Sequence, residues 1–202
     1  MKEAVLIGIG GGTGSGKTYF SKEIKAIFRK YSPILINQDS YYNDQKNIPF
    51  EIREKVNYDH PDAFDYNRLL SDLLLLKKMK EVAVPIYDYK THLRIDCKQT
   101  KPSSLVIVEG ILALHFSDIN RLFSYKAYIS TPEKTRLKRR IKRDTKKRGR
   151  TEQSVIDQFN RSVKVMHNTY VAKTKKYSDI IIADQADKNR AVEDIKNLLE
   201  QK

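Results

Sequence analysis

The chain has 202 residues, 40% of them hydrophobic and 32% charged, so it reads as one soluble, globular domain with room for a core; no apolar run approaches the ~20 residues of a membrane helix. Its one cysteine, Cys97, excludes an internal disulfide and any all-cysteine metal site. The net charge of +14 is local, because residues 134–150 (KTRLKRRIKRDTKKRGR) hold eleven Lys or Arg against one acid, Asp144, and so contribute +10 of it.

Met1-Lys2-Glu3 runs directly into residues 4–9 (AVLIGI), a short apolar run that predicts a buried parallel strand. No secretory leader is expected, and the composition suits a cytoplasmic enzyme. Next comes Gly11-Gly12-Thr13-Gly14-Ser15-Gly16-Lys17-Thr18, a full match to G-x-x-x-x-G-K-[ST]. Glycines let the backbone turn tightly and bring N–H groups against phosphate oxygens. A helix starting at Lys17 points its positive end at the same anion. Lys17 can reach the β- and γ-phosphates, and the Thr18 hydroxyl can ligate Mg²⁺. Phe20, Ile24, Ile27 and Phe28 give residues 17–30 helical spacing, which is the context the motif requires.

Residues 33–37 (PILIN) predict a second strand, ending at Gln38-Asp39-Ser40-Tyr41-Tyr42. Residues 43–61 are polar and read as a surface loop. Asp62 or Asp65 is positioned to cap a helix over 66–80, whose apolar stripe would be Leu69, Leu70, Leu73, Leu74, Leu76 and Met79. Residues 82–94 (VAVPIYDYKTHLR) look extended, then loop-like or hairpin-like. Residues 105–108 (LVIV) predict a third buried strand, followed by Glu109-Gly110. Residues 127–129 suggest a fourth strand, with Thr131 as cap and Pro132 opening a helix. A helix over 151–165 with Thr151 as cap, a strand at 179–182 (DIII) and a helix over 191–199 complete the chain.

Alternating strands and helices predict an α/β fold: a five-stranded, mainly parallel sheet flanked by helices. A small hairpin at about 82–104 and a basic helical lid at about 132–165 are carried on one domain spanning 1–202. Gly11, Asp39 and Glu109 all fall just past predicted strand ends, where such sheets place their sites. Phosphoryl transfer is mostly positioning and charge neutralisation, so either carboxylate suits Mg²⁺ or a base that receives a hydroxyl proton. The basic stretch reads in three ways: a nucleic-acid surface, a solvated helix face, or a segment closing over a polyphosphate. The phosphate loop favours the third.

The chain resembles the uridine kinase (uridine–cytidine kinase) family, in the P-loop group that includes phosphoribulokinase and pantothenate kinase. The resemblance is carried by GGTGSGKT (11–18), NQDSYY (37–42), NYDHPDAFDY (57–66), PIYDYKTHLR (85–94), VIVEGILAL (106–114), the basic stretch and KKYSDIII (175–182), across nearly the whole chain. It implies transfer of the γ-phosphoryl group of ATP or GTP to the 5′-hydroxyl of uridine and cytidine. It implies Asp39 as the base beside Mg²⁺, with Thr18 and Glu109 completing the metal environment. Asp59 would accept from the ribose hydroxyls, and Tyr87 and His92 would read the pyrimidine. Tyr42 and Tyr89 would border the substrate, with Tyr89 stacking on the base. Arg140, Arg143 and Arg150 would meet phosphates or nucleoside, with Gln158 on the substrate side and Asp187 facing the purine of the donor. A homotetramer is implied, with neither membrane nor nucleic acid as partner. The competing readings are a sister kinase for another small hydroxyl compound, and a nucleic-acid-dependent ATPase.

Overall fold

A computed structural model describes residues 3–201. The first half of the chain contributes β1 (Val5–Gly11), α1 (Lys17–Ile27), β2 (Ile34–Asn37), the short α2 (Phe50–Arg53) and α3 (Tyr66–Lys77). Next come β3 (Ala83–Asp88), β4 (Leu93–Gln99), β5 (Leu105–Glu109), α4 (Ser117–Leu122) and β6 (Tyr125–Ile129). The last third holds α5 (Glu133–Arg148), α6 (Glu152–Gln158), α7 (Lys164–Met166), β7 (Ile180–Ile182) and α8 (Gln185–Glu200). Among these residues no helix is long and apolar enough to cross a membrane.

Five of the described strands form one parallel sheet in the order β2-β5-β1-β6-β7, and β3 and β4 form a separate antiparallel pair. The chain leaves central β1 toward one edge, returns as β5, and then crosses to β6 on the other side. β1 is therefore the switch point, and its carboxyl end opens a crevice. The register Asn37↔Glu109 and Ile9↔Glu109 puts the ends of β2, β5 and β1 side by side. That alignment delivers the phosphate loop and both strand-end acids to the same edge.

Burial on both faces explains why central β1 and β5 read as unbroken apolar runs. On one face Ile7, Ile9, Ile107 and Ala127 pack against Phe20 and Ile24 of α1 and Ile195 of α8. On the other, Leu6, Ile36, Val106 and Val108 meet Leu69, Leu73 and Leu76 of α3, with Ile119 of α4. A fully buried Leu or Ile is worth about 1.5–3 kcal/mol, so this double layer holds the crevice edges rigid.

Several expectations are corrected. α1 stops at Ile27, which is 50% exposed; a 3-10 turn at Arg29–Tyr31 follows, and Phe28 carries the last buried contact instead. Leu74 is 40% exposed, because six apolar positions exceed the one stripe that α3 can press on the sheet. Asp65, rather than Asp62, caps α3 by accepting from Arg68 N. Thr131 does not cap α5: Pro132 holds that position and the Thr131 hydroxyl donates to Ser15 O at 2.9 Å. The helix expected over 151–165 keeps its Thr151 cap, but helical turns continue to Tyr177 through two π turns, Phe159–Val163 and His167–Val171. α8 begins at Gln185, six residues before 191, because Asp184 caps it by accepting from Asp187 N.

Candidate active site

The phosphate loop owes its shape to left-handed glycines. Gly14 (φ 72°) and Gly16 (φ 107°) adopt backbone that L side chains rarely tolerate, and a Cβ on Gly14 would collide with the Arg136 carbonyl. Ser15 N donates to Gly12 O at 3.1 Å and closes the turn. α1 starts at Lys17 with no side-chain cap and no acid in its first turn. Its first N–H groups are thus left for an anion, and nothing negative competes with one. Lys17 is 7% exposed and donates to Gly12 O at 3.0 Å. Burial lowers its pKa, opposed by the charges of Glu109 and Asp39.

The acids arrive from β5 and β2. Glu109, the last residue of β5, accepts from the Thr18 hydroxyl at 2.7 Å; burial raises its pKa, and Lys17 opposes that. Asp39 sits in the 3-10 turn after β2, where the Asn37 side chain accepts from Asp39 N at 3.0 Å. Two tyrosine hydroxyls donate to its carboxylate, Tyr42 to Oδ1 at 3.3 Å and Tyr89 to Oδ2 at 3.1 Å. Asn37 Nδ2 donates in turn to the Tyr89 oxygen at 3.2 Å. Asp39 therefore cannot swing freely. Its oxygens, with those of Glu109 and Thr18, make a hard donor set of the kind Mg²⁺ accepts. Among the described residues no cluster of three or more His, Cys, Asp or Glu could hold a metal by itself, so such an ion would share its ligands with phosphate and water.

One cleft of about 780 Å³ joins these groups to most of the other sequence candidates, reaching from Thr13 and Lys17 past Asp39 and Asp59 to His92. Ligand pockets commonly fall at about 300–1,000 Å³, so a ribonucleoside with a phosphate chain beside it is well within reach. Asp59 faces it with a pKa raised by burial, which the Arg140 guanidinium opposes. At the far end the Tyr87 hydroxyl and His92 Nδ1 lie 3.3 Å apart. Tyr58 stacks on the His92 ring, 4.8 Å between centroids at 11°. Burial lowers the His92 pKa, with Arg148 and Arg53 acting in the same direction, so the ring is neutral near pH 7.

The basic helix α5 covers the loop. Arg140, 6% exposed, donates to Thr13 Oγ1 at 3.2 Å and to Gln158 Oε1 at 2.9 Å; Arg150 donates to the same Gln158 oxygen. Arg143 and Arg148 also line the cleft. The Arg148 guanidinium lies 4.1 Å from the centroid of the Tyr89 ring, covering one face of it. By contrast Lys134, Lys138, Lys142, Lys146 and Lys147 are exposed.

Asp187 is placed elsewhere. It lies in the first turn of α8, accepts from Ala183 N at 2.9 Å and pairs with Arg190 at 2.8 Å, and it does not line the cleft. Asn37, Tyr58 and Arg148 are among the cleft residues not singled out in the sequence. Asn37 carried a signal, since Asx side chains bind their own backbone two residues on. Tyr58 stood within the quoted NYDHPDAFDY stretch. Arg148 looked like any other cation of its run.

Residues 6–191 match the model of the phosphoribulokinase/uridine kinase family. A uridine kinase of Macrococcus caseolyticus is 45% identical over 194 residues, 96% of this chain and 94% of that protein. A uridine kinase of Staphylococcus aureus (strain JH9) is 44% identical over the same length, with the same coverage. Among solved structures, phosphoribulokinase from Rhodobacter spheroides superposes with a TM-score of 0.68 over 90% of this chain and 70% of its own, at 15% identity, which speaks to the fold alone.

Proposed function

The chain belongs to the phosphoribulokinase/uridine kinase family, and from that premise we propose that it is a uridine/cytidine kinase, moving the γ-phosphoryl group of ATP or GTP to the nucleoside 5′-hydroxyl. The observation that carries the reading is convergence. Lys17, Asp39, Asp59, His92 and Arg140 line one cleft, although 123 positions separate the first from the last.

The roles follow from chemistry. The loop amides, Lys17 and the free end of α1 bind the donor's phosphates. Asp39, steadied by Tyr42 and Tyr89, takes the proton of the 5′-hydroxyl as the oxygen attacks. Arg140 and Arg143 meet the charge on the transferring group. Asp59 accepts from the ribose diol, which a carboxylate can do twice. Tyr87 and neutral His92 offer a donor and an acceptor to the pyrimidine edge, and their unpaired polar groups penalise a base that cannot match them. Arg150 and Gln158, bonded to each other, close the substrate side. Mg²⁺, held by Thr18, Asp39 and Glu109 with phosphate oxygens, would neutralise charge on the donor. Closure of α5 and the helical turns after it would exclude water, which otherwise competes for the phosphoryl group.

A cytoplasmic homotetramer belongs to the same reading; exposed Ile86 and Ile95 on the hairpin support an assembly, and sedimentation velocity tests it. The activity is tested by offering uridine, cytidine, ribulose 5-phosphate and pantothenate with ATP and with GTP. Turnover of the two nucleosides is expected. Preference for a sugar phosphate would overturn the reading, as would ATPase activity that responds only to nucleic acid.

A further inference from the structure

The most deeply buried charged group near the cleft has no part in the chemistry above. Asp144 is 0% exposed, in a stretch where every other charged residue is a cation. Among the described residues it receives three guanidinium groups. Arg143 Nε lies 2.7 Å and Arg148 Nε 3.6 Å from Oδ1, and Arg140 Nε lies 3.4 Å from Oδ2. Spacing on the helix explains the convergence, since Arg140 and Arg148 stand one turn to either side and Arg143 is adjacent. The Asp144 carbonyl accepts from Gly149 N and, at 3.3 Å, from Arg150 N, so the residue also closes α5.

We propose that Asp144 is a positioning residue, holding Arg140, Arg143 and Arg148 as one preassembled cation cluster aimed into the cleft. Without a central anion, three guanidinium groups at such range repel one another and splay toward solvent. With it they keep a surplus of positive charge, and each has an outer contact at the site. Arg140 touches Thr13 of the phosphate loop, Arg148 covers Tyr89, and Tyr89 holds Asp39. Arg143 lines the cleft between them. The alternative, a buried pair kept for stability alone, is weak, because such pairs seldom outperform an apolar replacement. Burial works to raise the Asp144 pKa, but the Arg143 hydrogen bond and the three cations overcome it and hold the group below the carboxylate range. It therefore stays charged wherever the enzyme works. Arg140 Nε faces Asp144 Oδ2 as an ion pair without a hydrogen bond, while its two terminal nitrogens reach Thr13 and Gln158 at the cleft.

The proposal rests on the kinase reading, and its test separates the two. Asp144→Asn keeps the shape and removes the charge; Asp144→Glu restores the charge. For folded Asp144→Asn, kcat with uridine should fall at least about tenfold while KM for uridine stays within about threefold, and Asp144→Glu should recover most of the loss. In an Arg143→Gln background, adding Asp144→Asn should cost no more than about threefold further, because both changes disable one unit. The second readout needs no acceptor. With a non-hydrolysable ATP analogue bound, tryptic cleavage within 134–150 should slow by about tenfold in the wild type and hardly at all in Asp144→Asn. Wild-type failure on uridine would sink the functional reading and leave this protease comparison as the judge of Asp144. Wild-type-like kcat, multiplicative costs with Arg143→Gln, or equal protection in both proteins would overturn the proposal.

Discussion

Replacing Asp39 with Asn tests the proposed chemistry at its centre. The side chain keeps its size, and Asn37 still accepts from the backbone N–H at 39, so the 3-10 turn should survive. What changes is the proton. An amide cannot accept one from the nucleoside, and a positioned general base is worth about 10²–10⁴ in rate. The change also turns one acceptor into a donor. Either Tyr42 or Tyr89 then faces an NH₂ group and loses its present bond, which costs about 1 kcal/mol or a further few-fold. Together these predict a kcat loss of about 10²–10⁴ with uridine. At saturating Mg²⁺, KM for ATP should move less than about threefold, since the phosphate contacts come from the loop and Lys17. A coupled assay of ADP formation at varied ATP and uridine gives both constants, and binding of a fluorescent ATP analogue confirms that the loop still works. Turnover within tenfold of wild type would remove Asp39 from proton transfer.

Asp59→Asn should raise KM for uridine by about 10–100-fold, the worth of hydrogen bonds to a charged group, and by less for 2′-deoxyuridine, which offers one hydroxyl fewer; equal effects on both would reassign Asp59. Gly14→Ala forces a left-handed residue to carry a Cβ where the Arg136 carbonyl stands, so ATP binding should be lost and stability fall by about 1–3 kcal/mol in urea melts; a wild-type melt would contradict the collision. His167 has its pKa pushed down to about 4 by burial, with Arg136 and Lys17 adding to the effect. Between about pH 6.5 and 4 the unfolded chain therefore binds a proton that the folded one refuses, and stability must fall as pH drops through that window, by at most about 3 kcal/mol. Urea midpoints at pH 7.5, 6 and 5 should show this slope in the wild type and a flatter one in His167→Gln; identical slopes would clear His167. Chelation by EDTA should abolish turnover and added Mg²⁺ restore it, with Glu109→Gln shifting the Mg²⁺ requirement upward by about tenfold.

The sheet was legible because its central strands are buried on both sides. IGIG and LVIV carry no alternation to misread, and each ends near a Gly or a Glu that serves the site. The phosphate loop was legible because its backbone demands glycine at fixed positions. Helix limits were less so. Residues 166–177 (MHNTYVAKTKKY) continue a helix through π and 3-10 turns whose periods differ from 3.6, so the apolar spacing there points nowhere. Ile27 and Leu74 show that an apolar residue near a helical stripe is not thereby buried. Asp187 was set at the donor's purine by the family resemblance alone; in the structure Asp184 caps α8 and Asp187 bonds back to Ala183 N. The hardest features to foresee were those that exist only in three dimensions. Tyr89, expected on the base, has Arg148 on one face and its hydroxyl on Asp39. Nothing in a run of eleven cations announces that its single acid gathers three of them.

A crystal of the protein with uridine and a non-hydrolysable ATP analogue tests the convergence most directly. The pyrimidine should sit against Tyr87 and His92, the ribose diol on Asp59, and the 5′-oxygen within hydrogen-bond reach of Asp39, facing the γ-phosphate held by Lys17. A nucleoside bound outside this cleft, or inside it with its 5′-oxygen turned from Asp39, would contradict the account.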